Sequence, residues 1–164
     1  MRSRVVVAAV STGVVALAGL AITGSPASGT GGRTVELHAK EVVLDLVDVG
    51  EPGFGPGSHF VFDDEVFDGD RSVGEVGGTC TVVRVAEGAG ATWNCEATLR
   101  LPRGQIALQG MMRADDAPVR QPFDLAVIGG TAAYEGVGGT LTYDDALSAP
   151  EHQLLLRLKH PRRR

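Results

Sequence analysis

The chain has 164 residues, 15 basic and 20 acidic, for a formal net charge of -5, and contains 23 glycines, 8 prolines and 2 cysteines. An acidic surface of this kind excludes nucleic acid as a partner, because its phosphates would be repelled. Two widely spaced cysteines exclude a CxxC redox motif and a cysteine-built zinc site.

At the N-terminus, Arg2 and Arg4 precede Val5–Ile22, a run without charge, and Ser25-Pro26-Ala27 then offers small residues at the positions a signal peptidase inspects. The pattern is that of a secretory signal spanning 1–27 and cleaved after Ala27. The alternative is a retained membrane anchor, since the uncharged run approaches spanning length. Ser11, Thr12 and Gly13 interrupt that run, and no twin-Arg pair is present, which implies export of an unfolded chain. Residues 28–164 then make one domain of ordinary size. The basic tail at 160–164 reads as a frayed end.

Glycine and proline punctuate the rest of the chain too often for a long helix, and the apolar residues alternate. Strands are predicted near 34–48, 58–67, 73–85, 91–101, 104–113, 121–128, 137–145 and 152–159. The fourth is the clearest. Trp93, Cys95, Ala97, Leu99 and Leu101 share one face, with Thr92, Asn94, Glu96, Thr98 and Arg100 on the other, as in a half-buried strand. Short turns join most of these strands, including Asp68-Gly69-Asp70, Leu101-Pro102-Arg103-Gly104 and Ala114-Asp115-Asp116-Ala117. Eight sequential strands on short connections describe an all-β fold, an eight-stranded antiparallel up-and-down barrel that removes its edges by closure. A two-sheet sandwich is the alternative.

Cys80 and Cys95 flank Glu87-Gly88-Ala89-Gly90, a good hairpin turn, and so sit on neighbouring strands. A bridge between them would suit an exported chain and contribute about 3 kcal/mol through loop closure. Two buried free thiols are the other possibility, given the strict geometry a bridge needs.

The glycine-rich stretch AVIGGTAAYEGVGGTLTYDD at 126–145 has three possible readings. A phosphate loop would need a Lys after its last glycine, and a dinucleotide fingerprint would need a glycine where Leu141 stands. Leu141, Thr142 and Tyr143 also favour strand over helix, so no helix N-terminus is offered to an anion. A calcium loop would need alternating carboxylates, and between Gly129 and Gly139 Glu135 is the sole one. What remains is a corner: Gly129-Gly130 ends the sixth strand and Gly138-Gly139 begins the seventh, where positive φ and close backbone approach are wanted.

Other catalytic schemes fare poorly. Ser58 and His59 are adjacent strand residues and point to opposite faces, so they do not form a nucleophile–base pair. His38, His59, His152 and His160 show no ligand spacing and read as rim or surface residues.

The stretch from Ala126 through Gly129-Gly130-Thr131-Ala132-Ala133-Tyr134-Glu135-Gly136-Val137-Gly138-Gly139 resembles the GGTGxYxGAxG-type signature of allene oxide cyclases and plant dirigent proteins. Phe60-Val61-Phe62-Asp63-Asp64-Glu65-Val66-Phe67-Asp68 looks like that family's second strand, and Val76-Gly77-Gly78-Thr79-Cys80-Thr81-Val82-Val83 like its third. Leu101-Pro102-Arg103-Gly104-Gln105-Ile106, with Gln109-Gly110, is similar to its fourth and fifth. The resemblance spans nearly all of the mature chain and lies nearest to bacterial, often exported, barrels of this type.

It implies an eight-stranded barrel, trimeric in many plant members, whose apolar cavity confines a reactive intermediate without metal or cofactor. The cyclases place an acidic residue on the first strand inside the cavity, and the candidates here are Asp45 and Asp48, one of which would act as base or stabilise a cation. Period-two facing is ambiguous around Glu41–Val43, so both carboxylates pointing outward is the alternative. Asp64 stands where the cyclases have an Asn, and Cys80 where they have a cavity-facing Cys. Phe60, Phe62 and Trp93 complete the expected cavity wall; Leu154, Leu156 and Leu158 are the other apolar candidates, and such residues also serve as plain core. Dirigent proteins carry an Arg before the final glycine of the signature, and the cyclases a Tyr; Gly138 here counts against dirigent-type chemistry.

Two functions follow. One is a cofactor-independent isomerase or cyclase acting on a small apolar intermediate, and the other a non-catalytic extracellular barrel that binds a small hydrophobic ligand or serves structurally. The mature protein is expected to begin at Ser28, within a residue or two, and to be found outside the cytoplasm of its native host. N-terminal sequencing of the secreted fraction checks this; a chain still carrying Val5–Ile22 and recovered only with membranes would establish the anchor instead.

Overall fold

The computed structural model describes residues 32–50, 55–85, 90–114, 122–144 and 150–160. The expected signal at 1–27, most of the hairpin turn at 87–90, the acidic turn at 115–117 and the arginines of the tail lie outside the described residues. Among the described residues there are eight strands: β1 (Gly32–Val47), β2 (His59–Asp68), β3 (Arg71–Val85), β4 (Ala91–Leu101), β5 (Gly104–Ala114), β6 (Phe123–Gly130), β7 (Gly138–Asp144) and β8 (Glu151–Lys159). Each pairs with the next, and β1 also pairs with β8, from Gly32 opposite Lys159 to Lys40 opposite Glu151. The sheet is a closed antiparallel barrel, and the two-sheet alternative is excluded.

Sequence alternation sets which side chains enter. In β8, His152, Leu154, Leu156 and Leu158 are buried while Glu151, Gln153, Arg157 and Lys159 are exposed. The lower half of the lumen is filled by such residues, among them Leu37, Val76, Leu99, Ile106, Leu141 and Leu156. A barrel of eight strands is narrow enough for side chains to fill it, and each buried aliphatic contributes about 1.5–3 kcal/mol relative to exposure.

The lower end is closed by the β6–β7 connection, which contains a 3₁₀ turn at Ala132–Tyr134. It folds back over the β4–β5 turn: Thr131 N–H donates to the Gln105 carbonyl at 2.9 Å, and Ala133 N–H to that of Arg103 at 3.1 Å. The glycine-rich stretch is therefore a corner. Gly139 has φ +142°, and a Cβ there would overlap the Arg157 carbonyl oxygen on β8. At Gly130 a Cβ would fall 2.7 Å from the Cβ of Tyr134. Both positions need glycine because another backbone or the returning turn passes against them.

The β1–β2 register shifts between Glu41 and Val43, so Val42 is an inserted residue of the bulge type. Below it, Leu37 and Ala39 face inward. Above it, Leu44 lies opposite Phe62, Leu46 opposite Phe60 and Asp45 opposite Val61. Directly opposed residues share a face of the sheet, so the bulge moves the inward set from odd to even numbers. The ambiguity around Glu41–Val43 thus has a structural cause: one extra residue breaks the period of two.

Cys80 and Cys95 are direct partners in the β3–β4 register and are joined as a disulfide, both buried. Intact mature protein is expected to weigh two protons less than its reduced form, and to show no reactive thiol after unfolding without reductant. Titration of two thiols per chain would contradict the bridge.

Candidate functional site

All four connections at the upper end, where β1 finishes and β2 begins, are longer than the two-residue turns that join β2 to β3 and β4 to β5 below. The inward side chains at that end differ from the packed half beneath. Leu44 and Leu46 share a face with Phe62 and Phe60, yet they remain 54% and 63% exposed. Phe60 and Phe62 are half-buried. Apolar groups that share the inward face and still meet solvent mark this end as less closely packed than the lower half.

Aromatic rings cluster in two sectors of this upper end, packed against the core. On the β2–β4 side, the Phe60 ring centroid lies 5.1 Å from that of Trp93 and 6.1 Å from that of Phe62. On the β6–β8 side, Phe123 packs on Tyr143 at 5.1 Å, and Tyr143 on His152 at 4.9 Å. All four pairings have tilted rings at separations favoured by aromatic contacts. The Cys80–Cys95 bridge lies on the inward face next to Phe60, whose register partner is Cys80. The wall position where the resemblance expects a cavity-facing thiol is therefore a disulfide.

Polar groups are few. Asp64 on β2 is buried, opposite Val76 of β3 and Glu41 of β1. His152 on β8 is buried opposite Ala39. This corrects its assignment to the rim or surface. The signal was present in β8, where His152 occupies the same alternating face as three leucines, but a search for metal-ligand spacing does not look for it. The other histidines sit elsewhere: His38 stacks on Phe67 at 5.1 Å, His59 Nδ1 lies 3.1 Å from the Gly57 carbonyl oxygen, and His160 is exposed.

The two strand-one carboxylates separate. Asp45 is exposed and lies on the face of Val61, away from Phe60 and Phe62. Asp48 follows Leu44 and Leu46 with even spacing and sits at the upper rim, where the Ser58 hydroxyl donates to its Oδ1 at 2.8 Å. Ser58 is fully buried, and its oxygen accepts from the N–H groups of Val49 at 3.2 Å and Gly55 at 3.3 Å. Its backbone also pairs with Val82, so Asp48 and Ser58 together tie the two ends of the β1–β2 connection to β3. Ser58 precedes β2 and engages Asp48, whereas the His59 ring engages the Gly57 carbonyl oxygen.

Two further clefts lie on the outer wall. One, of about 500 Å³, is bordered by Glu36, His38, Asp70, Glu151 and Gln153; the other, of about 380 Å³, by Val42, Asp63, Glu65, Glu75 and Arg100. In the second, the Glu75 carboxylate accepts a 2.7 Å hydrogen bond from Arg100 and raises the guanidinium pKa above its ordinary value. Both partners are solvated, so the pair adds little to stability. Among the described residues, no group of three or more His, Cys, Asp or Glu is placed to hold a metal ion.

The geometry can be set beside known proteins. A model of the allene oxide cyclase barrel like domain matches residues 34–155. Among solved structures, "Pyocyanin demethylase" is 28% identical with a TM-score of 0.69, covering 77% of this chain and 100% of that one. The Diels Alderase AbmU from Streptomyces koyangensis is 16% identical with a TM-score of 0.63, covering 78% of this chain and 64% of that one. The pterocarpan synthase dirigent protein GePTS1 is 13% identical with a TM-score of 0.61, covering 82% and 87%. The last two likenesses carry the fold alone. No curated protein matches. With a family model spanning β1 to β8, the chain belongs to the allene oxide cyclase barrel-like family.

Proposed function

We propose that the upper lumen takes up one small, largely apolar ligand and that the protein works outside the cytoplasm as a cofactor-independent isomerase or cyclase. The observation that carries this reading is the exposure of Leu44 and Leu46 on an inward face. Leaving two leucines in water inside a barrel costs about as much as burying them would contribute. A ligand that covers them recovers that free energy, in the manner of concave, mostly apolar sites with a few placed polar groups. The named neighbours, a demethylase and a Diels Alderase, act on small organic molecules, which supports a ligand of that size. Confinement in such a cup restricts the conformers of a reactive intermediate and keeps water away. The Cys80–Cys95 bridge supports an oxidising compartment.

A non-catalytic binding barrel is the second reading, and one observation favours it. Asp45 faces away from the lumen, and Asp48 receives the Ser58 hydroxyl at the rim, so the strand-one carboxylates are better placed for structure than for proton transfer.

The single tryptophan, Trp93, reports on the cup from within. Titration with the neutral probe N-phenyl-1-naphthylamine is expected to quench Trp93 emission saturably, with energy transfer to one bound probe. Leu44→Glu and Leu46→Glu should abolish binding and leave the fold intact, since both side chains already meet water. Absence of quenching and transfer in the wild type would overturn the small-molecule reading.

Asp48 separates the two functions. Asp48→Asn keeps an acceptor for Ser58 and should leave the unfolding midpoint unchanged, whereas Asp48→Ala strands a buried hydroxyl and should cost about 1–3 kcal/mol. If Asp48 is the catalytic acid or base, turnover should fall about 10²- to 10⁴-fold in Asp48→Asn. Unchanged turnover would leave it a structural residue.

A further inference from the structure

Past its last pairing with β8, strand β1 keeps one neighbour. The β1–β8 register ends at Lys40 opposite Glu151, and the Glu41 N–H donates to the Pro150 carbonyl oxygen at 3.0 Å. From Val43 to Val47 the pairing among the described residues is with β2 alone. The outward face of this β1–β2 ribbon carries Val43, Asp45 and Val47, opposite Asp63, Val61 and His59. Val43 and Val47 are 39% and 40% exposed, and the inserted Val42 is 63% exposed. An edge of that kind, with no lysine or proline from Val42 to Val47, invites another chain. The ribbon is also acidic: Glu41, Asp45 and Asp63 are all exposed on it.

The opposite charge lies at the other end of the barrel. Lys159 ends β8 opposite Gly32, next to Arg33, and both basic side chains are exposed. His160-Pro161-Arg162-Arg163-Arg164 follows in sequence. Five residues extend at most about 18 Å. From Gly32 up β1 to Asp45 the strand covers about 40 Å at its usual rise, so the arginines of one chain do not reach the ribbon of the same chain. Arginine suits such a surface in two ways. Its guanidinium forms charge-assisted hydrogen bonds to carboxylates, and its methylene stem covers exposed apolar groups.

We propose that Arg162, Arg163 and Arg164 of one copy dock on the outward face of the β1–β2 ribbon of a second copy, around Asp45 and Asp63. The contact is heterologous, because each copy offers one ribbon and one arginine run, and the two surfaces differ. It lies outside the barrel and is independent of any ligand within it.

Analytical ultracentrifugation of the purified protein tests this. The wild type should self-associate at low ionic strength, and the association should weaken by about tenfold or more in about 1 M NaCl, where the Debye length is about 3 Å. Asp45→Lys with Val47→Lys makes a ribbon variant; Arg162→Gln, Arg163→Gln and Arg164→Gln together make an arginine variant. Each alone should be monomeric. Mixed, they should form a 1:1 pair and stop there, since one supplies the only intact ribbon and the other the only intact arginine run. A two-fold contact between like surfaces would give no such rescue. A wild type that stays monomeric at low salt would overturn the proposal, as would association retained by the arginine variant or a mixture of folded variants that stays monomeric. Should circular dichroism show the ribbon variant unfolded, the wild-type salt series and the arginine variant decide the matter.

Discussion

Backbone pairing between β1 and β8 is the contact on which everything else in this chain depends. The other seven pairings are hairpins or short returns whose partners are close in sequence, and each leaves an unpaired edge. Joining Gly32 to Lys159 brings the two ends of the described chain together. The loop-closure cost of so long a connection grows only logarithmically with length, and the reward is the removal of both remaining edges. Closure also divides the side chains into an inside and an outside. Without it, alternation in β8 would describe an amphipathic strand with nothing to cover its leucines.

The barrel is not uniform along its axis. Below the bulge at Val42, inward residues are aliphatic and buried, and the 131–137 connection seals the end with its own backbone hydrogen bonds. Above it, β1 and β2 continue past the last β1–β8 pair at Lys40 and Glu151. The inward positions there pass to Leu44 and Leu46, which have rings beside them and solvent in front. The lower half thus holds the more closely packed part of the barrel. The Asp48–Ser58 contact and the Cys80–Cys95 bridge brace the open half, where packing alone contributes less.

Among the described residues, few polar side chains are buried in the barrel. Gly138 stands where the related dirigent proteins and cyclases are expected to carry an Arg or a Tyr, so that corner presents backbone only. Polar character comes instead from the β8–β1–β2 wall, through Asp64 and His152, with the Tyr143 ring behind the imidazole.

Much of this was legible in the sequence because it is local. Turn chemistry and a period of two located all eight strands, glycines at strand ends marked the corner, and the alternation of Trp93, Cys95, Ala97 and Leu99 gave one face of β4. The signature around Gly129–Gly139 pointed to the family. Facing on β1 was not legible, since one bulge residue reverses the parity and nothing in Glu41-Val42-Val43 says which residue is inserted; only the pairing with β2 settles that Asp45 turns outward. Nor was the meaning of His152, whose inward position follows from its leucine neighbours but whose nearness to Asp64 requires closure. Those residues are 88 positions apart in the chain by their numbering, and they share a wall only because β1 is hydrogen-bonded on both sides. Local patterns specify strands and faces; which faces meet is decided by long-range pairing, and that is a property of the folded barrel.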